Sequence, residues 1–361
     1  MLRLRFVAFA CFAVAAAAAQ EPESLAVGVD RLLRAAKEDA PGAVVLVARG
    51  DTVLHQKAYG CADLERRVPL QPKSVFDIGS TSKQFTAACL LLLQQEGKLA
   101  LRDAAKKHIA ELPTCCAGVT LRHLMLHTSG IPDYIGLMAG GEHKHDVEDK
   151  TTPDDALQAI AKVAQLEFAA GTKWAYSNSN YFLLSLVVER ASGVSLAEFA
   201  QQRIFGPLGM ASTHVHVDCT QLVPDRAFSF TRAAKGGWRW SFSNWEQAGD
   251  GAVMTTVADL HKWSRNFTTG QVGGDALRAA MGEPGTLDDG SKIDYGAGLV
   301  FLDLEGTPAI SHSGAWASYR AELLRVPSAD LVVVCLCNRD DLDPAGMARK
   351  IARLVLPAKK Q

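Results

Sequence analysis

The 361-residue chain lacks a charge excess of either sign: 38 Lys and Arg stand against 39 Asp and Glu, a formal net charge of −1. No basic field is present to draw nucleic acid, and no acidic tail to draw a basic partner. There is no Cys-x-x-Cys spacing, which argues against a structural zinc site. No Gly-x-Ser-x-Gly occurs, so the nucleophile turn of an α/β-hydrolase is missing. Internal repeats and low-complexity linkers are also absent. Past residue 19 no apolar run is long enough to span a bilayer. Cysteine is sparse and, once Cys11 is set aside, odd in number, so a complete disulfide framework is not expected. Cys61, Cys115, Cys116 and Cys219 leave room for one or two bridges in an oxidising compartment, with no pairing fixed by the sequence. Cys335 and Cys337, two apart on an apolar strand, should share one buried face.

What is present begins with residues 1–19. Arg3 and Arg5 precede an apolar run from Phe6 to Ala19, the plan of a secretory signal peptide cleaved near Ala19 and Gln20. This predicts a protein exported to the periplasm or the exterior, with no membrane span after signal removal; a retained anchor, or a lipoprotein at Cys11, fits less well. Residues 20–361 read as a single catalytic domain, and 48% hydrophobic content is ample for its core. Ser24 to Asp39 has amphipathic helical spacing. Ala43 to Ala48 and Thr52 to Tyr59 read as a hairpin. Helical patterns follow near Thr120 to His127, Pro153 to Val163, Tyr181 to Ala191, Leu196 to Ile204 and Ala258 to Phe267, with almost no strand signal between them. Tyr295 to Leu304, Ala309 to His312, Ser318 to Val326 and Leu331 to Asn338 then read as antiparallel strands, and Pro344 to Leu356 as a closing helix. The expected fold is α/β: an antiparallel sheet flanked by helices and built from both chain ends (about 20–98 and 290–361), with an inserted, mostly helical lobe (about 99–289). Gly140 to Lys150 reads as a mobile loop.

The stretch Phe76-Asp77-Ile78-Gly79-Ser80-Thr81-Ser82-Lys83 is predicted to open a helix running to about Glu96. That helix is apolar all round from Phe85 to Leu93, the mark of burial on every side. Ser80 and Lys83, three apart, share a face. A helix start disfavours positive charge, and burial lowers a lysine pKa further. A partly neutral amine can accept a serine proton. About one Ser-x-x-Lys is expected by chance in a chain of this size, so the motif needs company.

Company is found at two places. Tyr176 and Asn178, two apart in a polar-aromatic loop before a helix, offer a phenol to exchange a proton and an amide to hold a carbonyl; a packed aromatic and a helix cap are the plainer readings. His312-Ser313-Gly314-Ala315 stands at a strand end, where glycine would let a substrate backbone approach. In order and spacing these three motifs resemble the serine penicillin-recognising enzymes, specifically the class C β-lactamase, D,D-carboxypeptidase and esterase group (β-lactamase/transpeptidase-like fold). Further segments are similar to that family: Leu126-His127-Thr128-Ser129-Gly130-Ile131-Pro132, Phe205-Gly206-Pro207-Leu208-Gly209-Met210, Gly251-Ala252-Val253-Met254-Thr255-Thr256 and Tyr295-Gly296-Ala297-Gly298.

The resemblance implies that Ser80 attacks a carbonyl to form an acyl-enzyme. Lys83 and Tyr176 would share general-base and general-acid duty, their order left open. Asn178, His312, Ser313 and Gly314 would contact substrate, and the backbone N–H groups of Ser80 and Ala315 would form the oxyanion hole. No metal or cofactor is required, and the partner is a small-molecule or peptide substrate. One departure matters: β-lactamases of this group usually carry Lys-Thr-Gly where this chain has His312-Ser313-Gly314. A histidine there resembles the D,D-peptidase, D-aminopeptidase and esterase branches, so an ester or D-amino-acid peptide is the expected substrate. A β-lactamase, or a penicillin- or cell-wall-binding protein with little turnover, is the alternative. A metallohydrolase built from His123 and His127, with His143, His145, His214, His216 and Asp218, is a weaker one, because the glutamate of a zinc-protease helix is missing.

Overall fold

Every position from Ala43 to Ala48 is buried. Alternate side chains of a strand point to opposite faces, so a strand apolar on both needs cover on both. The computed structural model, which describes residues 24–34, 36, 38–139 and 150–357, supplies that cover. Val44, Leu46 and Ala48 join the larger apolar cluster, whereas Ala43, Val45 and Val47 join a second one on the opposite face.

The strands are Ala43–Arg49 (β1), Thr52–Tyr59 (β2), Tyr295–Gly296 (β3), Leu299–Asp303 (β4), Pro308–Trp316 (β5), Tyr319–Val326 (β6) and Leu331–Cys337 (β7). They form one seven-stranded sheet, ordered β3-β4-β5-β6-β7-β1-β2 and antiparallel throughout. The two chain ends meet where Ala43 pairs with Cys337 and Arg49 with Leu331. The helices that frame the sheet and the cleft are Leu25–Leu32 (α1), Lys83–Gln95 (α2), Asn178–Ser192 (α3), Val257–Thr269 (α4) and Pro344–Val355 (α5). α1 and α5 cover the smaller cluster, which also holds Cys335 and Cys337 on one face. α2 lies within the larger cluster, and its residues Lys83 to Leu93 are all buried.

Four expectations are corrected. Ser80 does not lie on the long helix: Gly79–Ser82 is a 3₁₀ turn and α2 starts at Lys83. The first helix ends at Leu32, well short of Asp39. Tyr295 to Leu304 is two strands, because Ala297 and Gly298 turn the chain with positive φ. The inserted region also contains strands. Val253–Thr255 pairs with both Phe76–Asp77 and His214–Val215, and Ser229–Arg232 pairs with Trp238–Ser241. Strands of two to four residues carry too few alternations to be read from a pattern. Gly140 to Asp149, within the expected mobile loop, and residues 1–19 lie outside the described residues.

The seven described cysteines are all free, so the bridges allowed for Cys61, Cys115, Cys116 and Cys219 are not formed. Among the described residues no helix is long and apolar enough to cross a membrane.

Candidate active site

The turn that carries Ser80 is fixed from three sides. Asp77 Oδ1 accepts the Gly79 N–H at 2.7 Å, and Ile78 N–H donates to the Val253 carbonyl at 3.1 Å. Val253 N–H in turn donates to Ser82 Oγ at 3.1 Å. β5 closes the third side. A Cβ at Gly79, whose φ is +48°, would stand 2.7 Å from the Ala315 nitrogen, and one at Gly314 would meet the Ile78 carbonyl oxygen at 1.8 Å. The close approach at Gly314 is therefore to the chain's own backbone, which corrects the expectation of approach to a substrate. The motif also lies within β5, with Trp316 its last residue.

Lys83 Nζ is the hub. It lies 3.0 Å from Ser80 Oγ and donates to Asn178 Oδ1 at 2.9 Å and to the Asp250 carbonyl at 2.6 Å. Burial pulls its pKa down to about 8, with the carboxylates of Asp250 and Asp133 pulling back. Asp133 orients Asn178 by accepting both its backbone N–H (2.8 Å) and its side-chain N–H (2.9 Å). The amide oxygen is thereby turned toward Lys83. Tyr176 stands over the same amine, with Nζ 4.9 Å from its ring centroid. The residue is 38% exposed, and it borders the larger of the two cavities beside Ser80. Burial raises its phenol pKa, opposed by a hydrogen bond with Ser80.

Along β5 the side chains alternate. Ser313 and Ala315 are exposed, while His312 and Gly314 are buried. Burial, with help from the charge on Lys83, pulls His312 down to about 4, so the ring is neutral at pH 7. Its Nδ1 lies 2.6 Å from the Ser313 carbonyl and its Nε2 3.3 Å from Tyr295 Oη. A carbonyl only accepts, so Nδ1 carries the proton and Nε2 accepts from the tyrosine. The chain of bonds continues: Tyr295 Oη is 3.2 Å from His127 Nε2, and His127 Nδ1 accepts the Ser177 N–H at 3.2 Å. Every partner is satisfied with both histidines neutral.

The structure thus brings Ser80, Lys83, Tyr176 and Asn178 together and sets Ser313, Gly314 and Ala315 along one wall. Three contributors were not singled out from sequence, Asp133, Tyr134 and Asp250, while His127 and Tyr295 were quoted only within family-like segments. Of the three, Asp133 carried a local signal, as an acid capping the helix Tyr134–Met138, where it accepts from Ile135 N–H.

Among the described histidines weighed as metal ligands, His214 and His216 lie side by side, with ring centroids 5.6 Å apart, but His123 and His127 are held in other roles. His123 Nδ1 accepts from Thr120 N–H in a capping box, and His127 lies past the helix end with φ 57°. His143 and His145 lie outside the described residues. Among those described, Asp218, Cys219 and Glu246 bring ligand atoms within 4.8 Å of one another. Lys150 already pairs with Glu246 at 2.7 Å and Asp218 at 3.4 Å.

Two cavities open on either side of Ser80. One, of about 180 Å³, is bordered by Asp77, Tyr134, Trp245, Gln247, Asp250 and Trp316. The other, of about 600 Å³, is bordered by Tyr176, Tyr295, His312, Ser313, Arg320 and the start of α5.

The fold and its relatives define a serine hydrolase. The chain matches the Beta-lactamase family model over residues 29–356, and it belongs to that family. It is 30% identical over 315 residues to penicillin-binding protein 4* of Bacillus subtilis, covering 82% of this chain and 68% of that one. It is 29% identical over 317 residues to a D-aminopeptidase of Gluconobacter oxydans, covering 88% of this chain and 59% of that one. The chain therefore spans somewhat over half of the D-aminopeptidase's length. In structure it is similar to an octameric penicillin-binding protein homologue from Pyrococcus abyssi, with a TM-score of 0.79 and 24% identity, over 92% of this chain and 76% of that one.

Proposed function

We propose that the protein hydrolyses an ester or a D-amino-acid amide or peptide through an acyl-enzyme on Ser80. The observation that carries this is the buried Lys83 amine, 3.0 Å from Ser80 Oγ with its pKa drawn down to about 8. Near neutral pH a fraction of that amine is neutral and takes the Ser80 proton as Oγ attacks the carbonyl. The Tyr176 phenol stays protonated there, so it serves as the acid that passes a proton to the leaving group. The oxyanion is held by the N–H groups of Ser80 and Ala315, donors of a kind worth about 3–4 kcal/mol each in the transition state. Water then releases the acyl group. Asn178, Ser313, Gly314 and His312 border the substrate.

The neutral state of His312 favours this reading over a β-lactamase. A β-lactam carboxylate would meet no charge at the position where a lysine usually waits. The D-aminopeptidase relatives point the same way. Export, with residues 1–19 removed, belongs to the same proposal.

The test is direct. A fluorophosphonate probe is expected to label Ser80, located by peptide mass, and Ser80→Ala is expected to lose labelling and p-nitrophenyl ester hydrolysis together. Labelling at another residue, or unchanged turnover in the variant, overturns the assignment.

A further inference from the structure

The smaller cavity beside Ser80 is bordered by buried polar atoms without partners, the two His216 ring nitrogens among them. Two buried acceptors that border it have no partner: Asp250 Oδ1 and Gln247 Oε1. Asp250 is 8% and Gln247 5% exposed. The other oxygen of Asp250 accepts from Tyr134 Oη at 3.1 Å, so the carboxylate is held in place and presents Oδ1 alone. Gln247 is fixed likewise. Its Nε2 donates to the Thr152 carbonyl at 2.6 Å, and because a carbonyl only accepts, the amide oxygen must be the free end. Buried polar atoms without partners are rare and costly, and the two oxygens are satisfied by a guest that donates hydrogen bonds.

Charge and walls agree. Asp77 also borders the cavity, and so does Arg226, which donates to Tyr319 Oη at 3.5 Å and whose charge favours the Asp77 carboxylate. Lys83 reaches Asp250 through the main-chain oxygen, not the carboxylate. Tyr134, Trp245 and Trp316 form a continuous aromatic wall, with ring centroids 6.1 Å and 5.4 Å apart in succession. Aromatic faces attract cations. An ammonium brings three donors and no acceptor, the complement of Asp250 Oδ1 and Gln247 Oε1. Asp250 also sits one lysine nitrogen away from the nucleophile, since Lys83 Nζ contacts both Ser80 Oγ and Asp250 O.

We infer that this cavity is a cation subsite in which Asp250 and Gln247 bind the free α-ammonium of the acyl residue, so that the substrates are amides or peptides with an unblocked amino end. The inference rests on the reading of Ser80 as the acylated residue and names the substrate class for it. N-acylated and deaminated analogues leave the Asp250 carboxylate unpaired and are bound weakly.

The test reads occupancy without requiring turnover. D-alaninamide, N-acetyl-D-alaninamide and propionamide are compared as protectants of Ser80 against a fluorophosphonate probe. Wild-type protein is expected to be protected at a concentration at least about tenfold lower by D-alaninamide than by the other two, the worth of a charge-assisted hydrogen bond. Asp250→Asn is expected to bring the three within about twofold of one another. Labelling of Ser80 with equal protection by all three in the wild-type protein would overturn the cation subsite while leaving the nucleophile standing. Absence of labelling at Ser80 would instead overturn the hydrolase reading beneath it. The wild-type comparison decides even if the Asp250 variant fails to fold. A variant that labels normally but keeps the tenfold preference would remove Asp250 from the subsite.

Discussion

Lys83 and Tyr176 both adjoin Ser80, and burial disfavours the charged form of each. For the amine the charged form is the protonated one, so its pKa falls to about 8; for the phenol it is the deprotonated one, so its pKa rises. Near pH 7 the same cause makes the lysine a usable base and the tyrosine a poor one. The expected consequence is a pH–rate profile for p-nitrophenyl ester hydrolysis in which kcat/KM climbs from pH 6 and levels off above about pH 8, as Lys83 loses its proton. A flat profile between pH 6 and 9 would count against Lys83 as the base. Spacing alone placed Ser80 beside Lys83. The downward direction of the Lys83 pKa was legible from the buried helix, but its extent was not, because it depends on burial by distant segments and on Asp250 and Asp133 far along the chain.

At the level of elements, the site is a seam between β5 and the turn that precedes α2. Gly314 is the point of contact, since a side-chain carbon there would lie 1.8 Å from the Ile78 carbonyl oxygen. Gly314→Ala must push strand and turn apart. A loss of about 1–3 kcal/mol of stability is expected, the usual range for overpacking, together with a marked drop in fluorophosphonate labelling because Ile78 leads directly into Ser80. Unchanged melting and labelling would show that the seam yields freely. The long elements were legible in advance, the Thr52–Tyr59 strand to the residue and α5 to within one residue, because each carries several repeats of its period. The stretch Val75 to Ile78 was strand-like in advance and holds the strand Phe76–Asp77, but the 3₁₀ turn under Ser80 and the short strands His214–Val215 and Val253–Thr255 were not legible. Their backbone is set by partners such as Val253 and Ala315, which lie far away in sequence.

The whole molecule stores charge burial on both sides of its sheet. Glu322, on β6, is buried, and burial pushes its carboxyl up to about 7, partly offset by Ser311 and Arg349. Its ordinary value is 4.5, so between about pH 4.5 and 7 the folded protein holds a proton that the unfolded chain has released. Stability from this group is therefore present below about pH 4.5 and declines as pH rises toward 7. Asp77 and Asp250, each pushed up to about 6 by burial, act in the same sense. Glu322→Gln removes one such group. The variant is expected to unfold at a higher temperature than wild type at pH 8, by a margin on the order of 1–3 kcal/mol, and the margin should shrink toward pH 5. Equal melting at pH 8 would mean that the carboxylate has found compensation.

The sequence by itself determined the building plan: strands contributed by both ends of the chain, a helix buried on every side, and Ser80 close beside the Lys83 that begins it. Periodicity and local spacing suffice for these, because each depends on residues within a turn or two of one another. Only the tertiary structure decided the neutral His312, the Asp133 clamp on Asn178 and the two unpartnered oxygens of Asp250 and Gln247 in one cavity. Those depend on burial and on contacts between distant segments, and the free energy of a charge is set by what surrounds it in space.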